Sequence, residues 1–398
     1  MSRAERAGSF CAQTHTWSGR EALRLTNGVL NSTVLRRGCS IAELRLIESE
    51  DAVSGNLVWE SPWLGADHPM GDDELARRYG DANSGRFLHH YTGHALCLDG
   101  FGPASAREFA RGSGLHGEAI SRDWQVAAQG SGELRLRTLL PGAALVVERA
   151  FEMLPGEGVL RVRESVSNLA SASRNLHWVQ HATVGPAAFP AGARVATSAR
   201  EGLTWPMDYE GSNALGRDAS FEWPCAPGAD GCPVDVSELF CAPHSGFVAA
   251  LKQPPERREG FVAAHDPATG LVLAYVFRSD VFPWLTLWEE NRCRHASPWN
   301  GDVQARGLEF GTTPFPLGNE AVDAQAPVLG MRTSRPLAAG GTVTAPWAMI
   351  AARLPRSCAR IDDIRVEEDA VTVRCGTERT PLPAAGIASF LFAQGGGR

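Results

Sequence analysis

Apolar and polar side chains alternate with a period of two through most of this chain, and that pattern predicts extended strands almost throughout. Glu21–Leu25 alternates, Asn27-Gly28 supplies a tight hairpin turn, and Val29–Arg36 resumes the pattern before Gly38 interrupts it. Ile41–Ile47 reads as a third strand. Trp124–Ala128, Glu133–Leu139, Ala144–Met153, Gly158–Ser167, Asn175–Val184 and Gly246–Leu251 follow. Phe261–His265 and Leu271–Phe277 flank the loop Asp266–Gly270. Trp284–Glu289, Arg306–Phe310, Thr342–Ala352, Ile364–Cys375 and Ala388–Phe392 complete the set. Helices are expected only at Asp72–Tyr79 and Ala104–Arg111.

With 42 glycines and 25 prolines in 398 residues, a turn signal recurs every dozen or so positions, which favours an all-β antiparallel sandwich over βαβ units. No repeat or low-complexity linker divides the chain, so a single large β domain over 1–398 is expected. Residues 201–245, irregular and rich in Pro, Gly, Trp and Cys, read as a long decorated loop, and loops of that length in compact domains are usually functional.

Composition narrows the function classes. Hydrophobic residues make up 43% and charged residues 21%, a globular balance. The net charge is -7 with no basic run, so neither nucleic acid nor an anionic membrane is an expected partner. Lys252 is the only lysine, and its polar Lys252-Gln253-Pro254-Pro255 surroundings are a poor place to desolvate a Schiff-base amine. Met1 to Thr16 lacks the apolar stretch of a signal peptide, and no apolar run reaches the roughly 18 residues of a membrane helix. The nine cysteines are scattered without zinc-site spacing and read as reduced thiols of a cytoplasmic protein.

No GxGxxG after a strand, no P-loop, no HExxH and no GxSxG elbow is present, and no cofactor is expected. What remains is histidine, carboxylate and tryptophan. Gly114-Leu115-His116-Gly117-Glu118 precedes the strand around Trp124. In His177-Trp178-Val179-Gln180-His181, alternation puts His177, Val179 and His181 on one face. Arg306-Gly307-Leu308-Glu309-Phe310-Gly311 places a glutamate between two glycines, a sign of close approach by backbone or ligand. The aromatic run carries Trp284, Trp288 and Trp299, whose rings suit the C–H faces of a pyranose.

Leu25-Thr26-Asn27-Gly28 with Gly38-Cys39-Ser40-Ile41-Ala42 resembles the opening hairpin of the galactose-mutarotase-like (aldose 1-epimerase) superfamily. Leu115-His116-Gly117 resembles its "LHG" motif, His181 its second histidine, and Gly307-Leu308-Glu309 its late glutamate strand. The landmarks keep the family's order over residues 21 to 350. The resemblance implies an antiparallel super-sandwich and an isomerase acting on a small carbohydrate. Glu309 would be the general base at the anomeric hydroxyl, His181 the general acid at the ring oxygen, and His116 a sugar ligand supporting developing charge. Arg86 is a loose counterpart of the family's arginine, and Asp208, in Trp205-Pro206-Met207-Asp208-Tyr209, stands in for its sugar-binding aspartate. "NHTYFNL" around the family's second histidine is replaced by Gln180-His181-Ala182-Thr183-Val184-Gly185, which marks a divergent branch.

Plainer readings stand beside these. His177 and His181 are also what satisfied histidines on a half-buried strand look like, and the tryptophans are also what a core contains. Glu118 is either a sugar ligand or the partner of an arginine such as Arg122. His89, His90, His94 and His116-x-Glu118 offer a minority metal reading, although the His94 to His116 gap is long for it. A carbohydrate lyase or hydrolase on the same fold and a non-catalytic carbohydrate-binding module are the alternatives, and a homodimer is compatible with either.

Overall fold

The computed structural model describes residues 10–49, 52–130 and 132–393. The first nine residues of the segment scanned for a signal peptide lie outside them. Two large antiparallel sheets face each other. One has 14 strands, and its central neighbours run Ile41–Ser49, His94–Leu98, Trp178–Val184, Gln304–Gly311, Trp284–Asn291, Ser245–Lys252. The other has eight, in the order Arg194–Thr197, Glu259–Asp266, Leu271–Arg278, Thr342–Arg353, Val159–Asn168, Leu145–Glu152, Glu133–Leu140, Gln125–Gln129.

Strand chemistry follows what covers each face. Leu145–Glu152 alternates strictly between buried and half-buried positions, because only one of its faces meets the other sheet. Leu271–Arg278 and Trp284–Asn291 are buried on both faces. On the second sheet the outer cover is a three-stranded sheet, Asp363–Val366, Ala370–Cys375 and Glu378–Pro383, with the helix Ile387–Phe392. Ile364, Val371, Val373, Ile387 and Leu391 pack there against the small side chains Ala263, Ala274 and Ala348. On the first sheet the cover is the helices Asp72–Tyr79 and Ala82–Leu88 with the long loops, whose apolar residues form a cluster of their own with Trp284, Trp288 and Trp299.

A buried polar network ties the sheets together. Arg149 Nε donates to Glu164 Oε1 at 2.6 Å, and Glu164 Oε2 accepts from Trp178 Nε1 at 2.9 Å and Gln180 Nε2 at 2.6 Å. With Trp178 and Gln180 pinned between the sheets, alternation forces His181 onto the opposite, outer face. Asn27 acts similarly at the first hairpin. Its Oδ1 accepts from the Leu30 amide at 2.8 Å while Nδ2 donates across to Glu157 O at 2.9 Å.

Several expectations are corrected. Residues 201–245 are not a bare loop: Glu201–Thr204, Ser220–Glu222, Cys225–Pro227 and Pro233–Asp235 extend the edge of the large sheet. Ala388–Phe392 is helical, since a short apolar run fits a buried strand or a helix equally well. Asn175–Val184 breaks after Leu176, and Ile364–Cys375 is a hairpin rather than one strand. The cysteines are not all reduced thiols. Cys358 and Cys375 form a disulfide, and the other seven are free. No helix among the described residues is long and apolar enough to cross a membrane.

Candidate active site

His181 and Glu309 sit side by side on adjacent strands. The register pairs Gln180 with Phe310 and Thr183 with Gly307, which brings the two side chains abreast on the outer face, and His181 Nε2 lies 3.4 Å from Glu309 Oε1. Gly307 is needed for this geometry. A Cβ there would collide with Glu309 Oε1, so only glycine leaves room for the carboxylate. His116 arrives from a loop in which it adopts φ 62° and Gly117 φ 90°, and Gly117 presses on the carbonyl of Leu98 too closely for a side chain. The His116 and His181 rings lie 5.2 Å apart between centroids. Side chains distant in sequence thus line one cavity of about 420 Å³, walled by Phe87, Tyr91, Trp205, Trp288 and Trp299.

Hydrogen bonds fix which atoms carry protons. His116 Nδ1 accepts from the Gly102 amide at 3.0 Å, so the proton of the neutral ring is on Nε2. Burial and the neighbouring His181 hold the His116 pKa well below the ordinary value. His181 Nδ1 is 3.3 Å from both Tyr91 Oη and Thr183 Oγ1, which themselves bond at 2.6 Å. Burial lowers the His181 pKa to about 3 and pushes the Glu309 carboxyl well above the ordinary carboxylate range. Both shifts favour the uncharged forms, a neutral imidazole and a protonated carboxyl.

Arg294, from the loop between the Trp284–Asn291 and Gln304–Gly311 strands, completes the wall. Its guanidinium lies 4.7 Å from the Tyr209 ring and 4.6 Å from the Trp299 ring, and its Nε is 3.2 Å from Glu290 Oε2. Glu290 also accepts from the Cys293 amide at 2.8 Å, the Arg294 amide at 3.1 Å and Tyr209 Oη at 3.0 Å. Glu210 lies 3.8 Å from the same Arg294 nitrogen.

The same arrangement of sheets occurs in known structures. A candidate aldose 1-epimerase from Klebsiella pneumoniae superposes with a TM-score of 0.57 at 15% identity, covering 85% of this chain and 82% of that one. A galactose mutarotase-like protein from Clostridium acetobutylicum gives 0.55 at 12%, covering 87% and 99%. A galactose mutarotase related enzyme from Lactobacillus acidophilus gives 0.52 at 9%, covering 86% and 97%. This chain has the galactose-mutarotase-like fold. No family model matches the sequence, and no curated protein does.

On this fold the sequence-derived candidates divide. His116, His181, Glu309, Trp288, Trp299 and Asp208 line the cavity. Asp208 stands at its rim with its oxygens 3.0 Å from Asn213 Nδ2 and 3.1 Å from Arg217 Nη1. Three candidates lie elsewhere. Arg86 is a strut, bonded to Asp72 at 2.9 Å and to the carbonyls of Phe109 and Ser113 at 2.8 and 2.7 Å. Glu118 pairs with Arg122 and accepts from the Ala143 amide at 2.9 Å, facing a separate polar cleft. Trp284 is wholly buried and donates to Arg332 O at 2.7 Å. His177 bonds Thr313 at 3.2 Å and lies 3.4 Å from Asp323, away from the cavity. Sequence reading missed Tyr91, Tyr209 and Arg294, and only the density of aromatic residues nearby hinted at them.

Among the described residues, the minority metal reading finds one grouping. Ligand atoms of Asp67, His89 and His90 lie within 4.8 Å of one another. Arg20 Nη1, however, is 3.1 Å from His90 Nδ1 and 3.6 Å from Asp67 Oδ1, and Arg37 Nε is 3.1 Å from Asp67 Oδ2. A cation there would meet two fixed positive charges and lone pairs already engaged, so the residues do not fit a metal. His94 is apart from them, between the sheets, stacked on Trp347 at 4.6 Å and bonded to Gln180 at 2.9 Å.

Proposed function

We propose that the protein interconverts the anomers of an uncharged free sugar, as an aldose 1-epimerase would. The observation that carries this reading is the His181–Glu309 contact at 3.4 Å in an aromatic-walled cavity. Mutarotation needs one group that takes the O1 proton and one that gives a proton to the ring oxygen, and the pair holds the single proton the reaction requires. Transfer of that proton from Glu309 to His181 yields a carboxylate base and an imidazolium acid. Glu309 then removes the anomeric proton, O1 becomes a carbonyl oxygen, the C1–O5 bond breaks, and His181 protonates O5. Rotation about C1–C2 and the reverse steps close the other anomer.

His116 donates its Nε2 proton to a sugar oxygen, while Tyr91 and Thr183 accept from Nδ1 of the charged His181 ring. Trp288 and Trp299 offer the apolar surface a pyranose face requires. Arg294, held by Glu290 at Nε, offers its terminal nitrogens to hydroxyl groups. With Glu290 and Glu210 beside it, its charge is already offset, which favours a neutral sugar over an anionic one.

Freshly dissolved α-glucose and α-galactose, followed by polarimetry or NMR, test the reading. Anomer exchange well above the spontaneous rate supports it. Saturable sugar binding without acceleration sinks it in favour of a binding module.

A further inference from the structure

Outside the catalytic cavity, a second cleft of about 620 Å³ opens where the loops 253–258, 278–283 and 331–332 meet the helix Ile387–Phe392. Four arginines line it, Arg257, Arg258, Arg278 and Arg332, against two carboxylates, Glu256 and Asp280. Two of the four are committed: Arg257 bonds Asp363 at 2.7 Å and Arg278 bonds Asp280 at 2.6 Å. Arg258 and Arg332 have no acidic partner among the described residues. Arg258 lays its guanidinium over the Phe392 ring at 4.4 Å, which leaves the donor edge of the fork open. Arg335 continues the basic lining in an adjoining cleft that shares Asp280 and Arg332. A concentration of positive charge in a protein of net charge -7 runs against the molecule's overall potential.

The floor supplies an independent sign of a missing acceptor. Gln253 lines the cleft and is only 1% exposed, and its Nε2 has no hydrogen-bond partner. The orientation of the amide follows from its neighbour. Gln253 Oε1 faces Ser198 Oγ at 2.6 Å, a hydroxyl that accepts from the Phe261 amide at 2.8 Å and also lies 3.3 Å from the Phe261 carbonyl, and with Oε1 turned to Ser198 the NH2 faces away from it. A buried donor without an acceptor is unfavourable, and a ligand oxygen would satisfy it.

We infer that this cleft binds a small phosphorylated metabolite. Forked guanidinium groups match phosphate oxygens in pairs, and Gln253 adds a neutral donor. The cleft is much larger than one phosphate, and Pro254, Pro255, Met331 and Phe392 give it an apolar side for an organic moiety. The site stands apart from the catalytic cavity and does not depend on how that cavity works.

Titration calorimetry with inorganic pyrophosphate, and with glucose 6-phosphate, tests it on the full chain. Saturable binding is expected. It should weaken about 100-fold or more in an R258Q/R332Q double variant, because two charge-assisted hydrogen-bonding groups are lost. These exposed side chains can be changed without disturbing the core, and Q253M should weaken binding by a smaller factor. Absence of saturable binding overturns the proposal. So does binding that ignores R258Q/R332Q but disappears in R294Q, which would move the anion to the catalytic cavity.

Discussion

His181 and Glu309 are cross-strand neighbours whose Nε2 and Oε1 atoms lie 3.4 Å apart, although 127 positions separate them in the chain. Sheet register alone makes them a pair. Replacing Glu309 by Gln keeps the shape and removes the proposed acid–base function. The expected loss in kcat is about 10²–10⁴-fold with little change in KM, and the circular dichroism spectrum should be unchanged. Full turnover in E309Q would remove the role assigned to the carboxylate.

The pH dependence follows from the same contact. Below a pH of about 3 His181 gains a second proton for the pair, and no base is left. At high pH Glu309 loses its proton, and no acid is left. Activity should therefore be level above the His181 pKa and decline as pH rises through the Glu309 pKa, which burial holds well above the ordinary carboxylate value of 4.5. A pH–kcat profile with an acid limb near 6.5 would contradict a neutral buried His181.

Stability gives a separate readout. The folded chain binds the Glu309 proton more tightly than the unfolded chain, so this group's contribution is fully present below 4.5 and is lost as pH rises through the folded pKa. E309Q removes the penalty. Its Tm relative to the native protein should rise with pH in thermal scans, and a difference that does not vary with pH would show that Glu309 is not buried as a neutral acid.

Gly307→Ala tests the geometry without replacing His181 or Glu309. The added methyl would displace Glu309 Oε1 and crowd Trp288 Cβ at 3.1 Å. A misplacement of about 1 Å is enough to cost roughly 10²-fold in rate. Steady-state kinetics should show kcat falling further than KM rises, and wild-type kinetics in G307A would mean that the carboxylate position is unimportant.

Arg294 should act on binding. Arg294→Met removes the donors and is expected to raise KM for a neutral aldose about 10–100-fold, the range for one or two charge-assisted hydrogen bonds. Arg294→Lys should recover part of it. An unchanged KM in both variants would assign the arginine to the aromatic packing alone.

How far the sequence reaches can be read from individual residues. Alternation located most of the central strands to within a residue or two, because a strand with a covered face writes its burial directly into the pattern, as in Leu145–Glu152. The three ionisable candidates His116, His181 and Glu309 were visible because each lies in a short motif with glycines or alternation that constrains it. His94–Leu98 was missed because it is buried on both faces and does not alternate, and Ile387–Phe392 was misread because six residues are too few to separate the two periods.

What the chain could not disclose by itself is which distant side chains share a space. Arg86 and Glu118 carry suitable chemistry but point into struts and a different cleft, whereas Tyr91 and Arg294, which only nearby aromatic residues hinted at, reach the cavity. The same holds for Gln253, Arg258 and Arg332, which converge on one cleft only after folding. Local periodicity is set by which face of a strand is covered and is therefore written residue by residue. Convergence depends on sheet order, register and loop path, which arise from contacts between residues far apart in the chain and leave no local trace.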